Sequence, residues 1–343
     1  MSPMNETLTS DAAISVPWKG GALPRERRAA LAALASEVVR SCGAFEWVAL
    51  GYLSVSSLLL TLFRRNLPSA PLHIALHGGV SVLVLALCWA SARWPTAGLR
   101  FARHWYPQAF FLFCFEELHY LVHLIFPGWY DRWLIAFDHG LLGVHPTVWL
   151  EQFARPALND FMQMAYLTYF FYLVVLGAIL YARGERRAYW AVMTSSVIAY
   201  VMGYAIALAF PVESPYYSLA HLQRVELTGG FFTQLMGFIE SFGRVHGAAF
   251  PSLHVTGSLV ALLGAWRYRR WLFWVFLPFF LYMAVSTVYG RYHYVADVLG
   301  GLVVGSVGFW LGGRLMLRAG ACPAVARDQE SGGRRAIQLW ARS

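Results

Sequence analysis

His254, and His293 with Asp297 four residues later, are the residues of this sequence best suited to acid, base or nucleophilic chemistry. A carboxylate at the i+4 position of a helix start shares a face with the imidazole. It can accept one ring N–H and leave the other nitrogen free to react. A second imidazole opposite the first would complete a phosphoryl transfer: one ring attacks phosphorus, the other protonates the departing oxygen. His254 follows Pro251, Ser252 and Leu253, a run that reads as the start of a helix. The first amides of a helix, here around Ser252 and Leu253, form an anion site. Arg291 and Arg244 could place positive charge against phosphate oxygens, with His246 nearby. No step in this scheme requires a metal or other cofactor.

These residues must be positioned by membrane helices. The chain is 58% hydrophobic and only 13% charged, against about 25% charged in soluble proteins. Apolar runs near 45–63, 73–92, 107–126, 161–182, 189–209, 253–269, 271–289 and 295–316 each approach the length of a bilayer crossing. The expected fold is therefore all-α, a polytopic membrane bundle of about eight transmembrane helices. Tryptophans near the ends of the runs, such as Trp47, Trp105, Trp190 and Trp271, suit an interfacial belt. The net charge of +9 is scattered through short connections, which argues against a nucleic-acid surface. Cys42, Cys88, Cys114 and Cys322 have neither a metal nor a disulfide-framework spacing.

Arginine placement sets an orientation. The N-terminal segment, Arg93 to Arg103, Arg183 to Arg187, Arg267 to Arg270, and Arg314 with Arg318 all fall on one side of an eight-span chain. Arg64 and Arg65 dissent. The positive-inside rule makes the richer side cytoplasmic. Both termini are then cytoplasmic, in a plasma (inner) membrane. Helices 253–269 and 271–289 form a hairpin that returns the chain to the outer face, where "YGRYHYVADVLGG" meets His254. Gly300, Gly301 and Gly305 suit close helix packing. The expected organisation is a cytoplasmic segment with a basic amphipathic surface helix at 1–43, additional spans at 44–105, a core at 106–318, and a tail at 319–343.

The paired motifs resemble the type 2 phosphatidic acid phosphatases, whose second motif is P-S-G-H and third is S-R-x5-H-x3-D. Here they read Pro251-Ser252-Leu253-His254, and Ser286-Thr287 followed at the same spacing by His293 and Asp297. The resemblance covers about 245–305 and implies a six-helix core with extra N-terminal spans. It implies His293 as nucleophile, Asp297 as its orienter and His254 as general acid. Leu253 stands where the family has glycine, and Thr287 where it has a phosphate-binding arginine. The lysine-containing first motif is absent, since Lys19 is the only lysine. F-P-S-L-H, the "GRYHY" arrangement that moves an arginine beside the histidine, and the stretches 137–150 and 164–172 are similar to the inositol phosphorylceramide synthase branch. That branch implies transfer of a phosphoryl-linked head group between lipids, with Arg291 holding phosphate in place of Thr287. A membrane lipid is the expected substrate and the bilayer the expected partner. Water as acceptor would make a phosphatase, an alcohol a transferase.

Two further stretches carry polar groups. "FPVESPYY" (210–217) ends a helix at its prolines, and Tyr216 and Tyr217 are candidates for the substrate pocket with His246. "FEELHYLVH" (115–123) puts Glu116, Glu117, His119 and His123 in a span, where ionisable side chains are costly. Buried contacts to a neighbouring helix, or a wall of the head-group pocket, are one reading. A membrane metalloenzyme built on Glu116, His119 and His123 is a rival, and a polytopic transporter is another. A transporter would be expected to show repeats and a midplane cluster.

Overall fold

The structure is a computed structural model that describes residues 25–241 and 246–318. Among the described residues it is helical throughout, without strands. In chain order the helices are α1 (Arg25–Ser41), α2 (Ala44–Leu62), α3 (Ala70–Arg93), α4 (Ala97–Leu121), α5 (Asp131–Leu142), α6 (Pro146–Trp149), α7 (Pro156–Leu167), α8 (Tyr169–Ala182), α9 (Arg186–Ala209), α10 (Pro215–Ser218), α11 (Phe231–Ser241), α12 (Leu253–Tyr268), α13 (Arg270–Tyr289) and α14 (Val295–Arg318). The described residues fall into two units, one ending at Glu37 and one beginning at Val38, and the second holds the bundle. The amphipathic segment expected before residue 42 is helical as α1. The tail expected at 319–343 lies outside the described residues.

Among the described residues, six helices are long and apolar enough to cross a membrane: α2, α3, α7 with α8, α9, α13 and α14. They coincide with six of the eight expected spans. The other two expected segments are helices of a different kind. α4 has the length, but it carries Arg100, Arg103, Glu116 and Glu117. Its buried charges are paired: Arg103 reaches the Ser41 carbonyl at 2.7 Å and Glu46 at 3.3 Å, where an isolated charge would be prohibitive. α12 has only 16 residues and packs among α8, α9, α13 and α14 rather than facing lipid on all sides. Helices α7 and α8 meet at Thr168, whose hydroxyl turns back to the Ala165 carbonyl at 2.6 Å and competes with the helix ladder.

Close approach of α14 to α9 and α12 fixes the centre of the bundle. A β-carbon on Gly301 would stand 2.6 Å from the Ser252 carbonyl oxygen, and one on Gly308 would stand 2.5 Å from the Ala199 side chain. Small residues here let the helix backbones touch, as membrane helix interfaces require. The Thr256 hydroxyl donates to the Ser252 carbonyl at 2.8 Å and to the Gly301 carbonyl at 3.3 Å. The start of α12 is thus seated against the first turns of α14.

Candidate active site

Ser252 begins the site by capping α12: its hydroxyl accepts from the Val255 amide, and its own amide donates to the Asp297 carbonyl at 3.0 Å. His254 therefore sits in the first turn of α12, held beside the first turn of α14. The loop between α13 and α14 is pinned at nearly every residue. The His293 amide donates to the Thr287 carbonyl, and the Arg291 carbonyl accepts from the Tyr216 amide. The Tyr294 amide donates to Asp297 Oδ2 at 2.8 Å. Asp138 of α5 accepts from the Val295 and Ala296 amides at 2.8 and 2.9 Å, satisfying donors at the start of α14. Asp131 accepts from the Tyr294 hydroxyl at 2.7 Å and the Glu213 amide at 2.9 Å. Burial pushes both Asp131 and Asp138 above the ordinary carboxylate range, opposed by these donated hydrogen bonds.

The structure brings His254, His293 and Asp297 together in a relay. His293 Nδ1 lies 3.2 Å from Asp297 Oδ2, and His293 Nε2 lies 3.1 Å from His254 Nδ1. His254 Nε2 is 2.8 Å from the Tyr166 hydroxyl. These contacts fit one proton arrangement. His293 Nδ1–H donates to the Asp297 carboxylate, so His293 Nε2 carries a lone pair. His254 then donates from Nδ1, and Tyr166 donates to His254 Nε2. Asp297 is fully buried, and its Oδ1 has no hydrogen-bond partner among the described residues. Burial pushes His293 down to about 4, with only a backbone hydrogen bond at Ala249 opposing it. The ring is therefore neutral near pH 7 and able to act as a nucleophile.

The relay opens on a cavity of about 380 Å³. His254, His293, Leu253, Glu116 and Ser214 contribute to its lining, but most of the wall is apolar or aromatic: Phe115, Tyr166, Tyr169, Met236 and others. Leu112 of α4 and Phe170 of α8 also line it, and both are exposed on the bundle's flank. α11 covers the cavity with Met236, Ile239 and Glu240. The helix is amphipathic, with Phe231 and Phe238 exposed, as suits an interfacial position. Tyr166 stacks on Tyr292 with ring centroids 4.4 Å apart, closing one side.

Other sequence-chosen residues are distributed around this centre. Arg291 is not among the residues lining the histidine cavity: it lines a neighbouring one, where its guanidinium pairs with Glu151 at 2.7 Å and also donates to the Val225 carbonyl. Tyr216 and Tyr217 line that second cavity too. His246 stands at the side, its ring nitrogen 2.6 Å from Glu213 and its ring against Tyr217 and Trp129. Arg244 lies outside the described residues. In the 115–123 stretch, Glu116 is a wall of the histidine cavity, whereas Glu117 points to α3 and binds His73 at 2.9 Å and His77. His119 accepts from the His246 amide at 3.4 Å, and His123 donates to the Phe126 carbonyl. Glu116, His119 and His123 do not converge, and among the described residues no group of three or more His, Cys, Asp or Glu side chains is placed to hold a metal ion.

Tyr166, Asp131 and Asp138 were not among the sequence-chosen site residues. Tyr166 and Asp138 lie in the two stretches singled out by resemblance, 164–172 and 137–150, which was the available signal. Asp131 had none.

A multi-pass helical bundle holding a paired-histidine, carboxylate-backed pocket defines a class of membrane enzyme. The family model described as the PAP2 superfamily matches residues 132–311, just over half of the chain, and the chain belongs to that superfamily. Membership carries a phosphatase or phosphotransferase type of function. No curated protein and no solved structure matches the chain.

Proposed function

We propose that this protein is a lipid phosphotransferase or phosphatase of the inositol phosphorylceramide synthase-like branch, working through a phosphohistidine at His293. The observation that carries the reading is the relay Asp297–His293–His254–Tyr166 at the floor of a largely apolar cavity. The lipid-flank exposure of Leu112 and Phe170 supports lateral entry of an acyl-chain substrate between α4 and α8. The arginine distribution supports a catalytic site on the extracytoplasmic side. Residues 106–318 make the catalytic core, and 44–105 add spans to it.

In the first step His293 Nε2 forms a bond to phosphorus and the bond from phosphorus to the lipid oxygen breaks. Beside the phosphate anion His254 takes up a solvent proton at Nε2; the departing oxygen then takes its Nδ1 proton and leaves a neutral ring, while Asp297 keeps its hydrogen bond to His293 Nδ1–H and stabilises that ring as it becomes cationic. In the second step an acceptor hydroxyl or water attacks phosphorus, gives its proton to His254, and the P–N bond breaks. Substrate must part the two imidazoles, which hydrogen-bond to each other in the empty site. Leu253 and His254 contribute amides at the start of α12, beyond the one that Ser252 caps, and these face the developing charge. Arg244 and Arg291 are the nearest cationic candidates in the sequence, and His246 belongs to the outer wall.

The test is to trap the intermediate. Purified protein in lipid nanodiscs is mixed briefly with a lipid phosphate carrying labelled phosphorus and then quenched in base. Acid-labile, base-stable label is expected on the wild type and none on His293→Ala. Label persisting on His293→Ala would overturn the assignment.

A further inference from the structure

The turn between α8 and α9 and the turn between α12 and α13 meet at the end of the bundle opposite the histidine pair. α12 runs from beside His254 to Tyr268, a rise of roughly 24 Å at about 1.5 Å per residue. Arg269, just before α13, donates to the carboxylate of Glu185, just before α9. Arg183 Nε lies 4.0 Å from the same carboxylate oxygen. α12 packs along both α8 and α9, which holds the two turns together.

Charge at this meeting point is one-sided. The two turns carry Arg183, Arg186, Arg187, Arg267, Arg269 and Arg270 against the single carboxylate of Glu185. Burial and the charge of Arg183 both hold Arg269 below the usual guanidinium value, so like charges are crowded here. Neither α9 nor α13 has a side-chain cap at its start, and the first-turn amides add positive partial charge at the same place. Crowding of this kind is relieved by an anion with several acceptor oxygens, and the planar guanidinium fork matches phosphate.

The aromatic surroundings narrow which anion fits. Trp266, Trp271 and Trp274 are exposed beside the arginines, as indoles at head-group depth are. Arg270 lies over the Trp266 ring at 4.6 Å and Arg186 over the Tyr181 ring at 3.8 Å. From Trp271 an exposed apolar stripe continues along one face of α13 through Val275, Phe279 and Tyr282. A soluble anion would use the charge and leave that stripe bare.

We propose that the meeting point of these two turns binds an anionic phospholipid, its phosphate held by arginines of both turns and its acyl chains lying along α13. The site is separate from the histidine cavity and does not depend on which acceptor is used there. A lipid that bridges the two turns binds the folded bundle alone, and so stabilises it by mass action.

The test uses the full chain, purified in detergent micelles at low salt. It is titrated with phosphatidylglycerol or with phosphatidylcholine of the same acyl chains. Bound lipid is counted by native mass spectrometry, and the unfolding temperature is followed. Phosphatidylglycerol is expected to be retained saturably and to raise the unfolding temperature, both effects weakening as salt is added. Phosphatidylcholine should do neither at the same concentration. Arg183→Gln with Arg270→Gln, both at exposed positions, should weaken retention about fivefold or more. Arg93→Gln with Arg100→Gln removes equal charge around the α3–α4 connection and should weaken it less than about twofold. Equal retention of the two lipids, or equal losses in the two double variants, overturns the inference, because the arginines would then act only as a general basic surface. Retention that the Arg183 and Arg270 double variant leaves unchanged overturns it too, since the lipid would then sit elsewhere.

Discussion

Among the described residues, two buried clusters pair histidine with a carboxylate, and one of them lines the histidine cavity. In the α12–α14 region, Asp297 gives one oxygen to His293 and to a backbone amide, and His293 also lines the histidine cavity. Between α3 and α4, Glu117 gives one oxygen to His73 and the other to His77, and His77 Nδ1 lies 3.0 Å from the Ser57 hydroxyl. His73, His77 and Glu117 are all at most 5% exposed, and none lines either cavity. The second cluster spends its hydrogen-bonding capacity holding α2, α3 and α4 together. The first sets its ring against the histidine cavity, where the proposed reaction needs it. A histidine–carboxylate pair in a membrane protein is thus a fastening or a reaction centre according to what lies on the far side of the ring.

Alanine at either relay histidine should break this contrast most severely. His293→Ala and His254→Ala are each expected to lower kcat by about 10³-fold or more, since each removes a bond-forming or proton-transferring group. Intact insertion, checked by size-exclusion and circular dichroism, keeps the result interpretable. Turnover within tenfold of wild type in either variant would sink the proposed roles. Treatment with a chelator should leave wild-type turnover unchanged, because each proton and each phosphorus bond is handled by a side chain.

Glu117→Ala is the matching experiment on the fastening cluster. Removing one partner from a buried hydrogen-bonded set costs about 3–5 kcal/mol, so a clear fall in thermal unfolding temperature is expected. Turnover per folded molecule should stay within a few-fold. A collapse of kcat with unchanged stability would mean that the cluster is part of the reaction after all.

Asp297→Asn sharpens the comparison from inside the site. Asn can still accept from Tyr294, but it cannot stabilise the cationic ring or enforce one tautomer, and a loss of about 10² in kcat is expected. The pH profile tests the same point. Buried His293 sheds its proton down to about 4. Once substrate ionisation is corrected for, kcat/KM should hold level from pH 7 to about 5 and fall only below that. The linkage has the same sign: the unfolded ring binds its proton near pH 6.5, so stability from the neutral buried ring is complete above that value and lost as pH falls toward 4. An acid limb centred at pH 6.5 would contradict the buried assignment.

How much of this could be read from the sequence depends on range. The grouping of His254 with His293 and Asp297 was legible because a short hairpin, two apolar runs and an i, i+4 pair bring them to one face with no knowledge of the remaining bundle. α12 and α14 fall within two residues of their expected ends. Contacts between distant segments were not legible. Glu117 was visible as a costly intramembrane charge, but its partners His73 and His77 lie some 40 positions earlier on another helix. The amphipathic helices α5 and α11 were hidden inside long polar connections, because eleven or twelve residues do not register as a span. Arg291 was drawn toward phosphate by its neighbour His293. The loop's left-handed turn at Arg291 instead sets it beside Glu151, in the adjoining compartment.

Tyr166 is the smallest and most discriminating test. It belongs to α7, far from both motifs in sequence, yet its hydroxyl is the group that fixes His254's proton on the nitrogen facing His293. Tyr166→Phe keeps the ring, so the stack on Tyr292 and the packing on Met236 should survive. What disappears is the donor to His254 Nε2. The imidazole can then adopt either tautomer, and the fraction carrying its proton toward the leaving oxygen falls. A three- to tenfold loss in kcat with little change in KM is expected, of the order that a single neutral hydrogen bond is worth. A KM effect with kcat intact would instead make Tyr166 a wall of the lipid cavity and nothing more. The proton on His254 would then have to be placed by substrate itself.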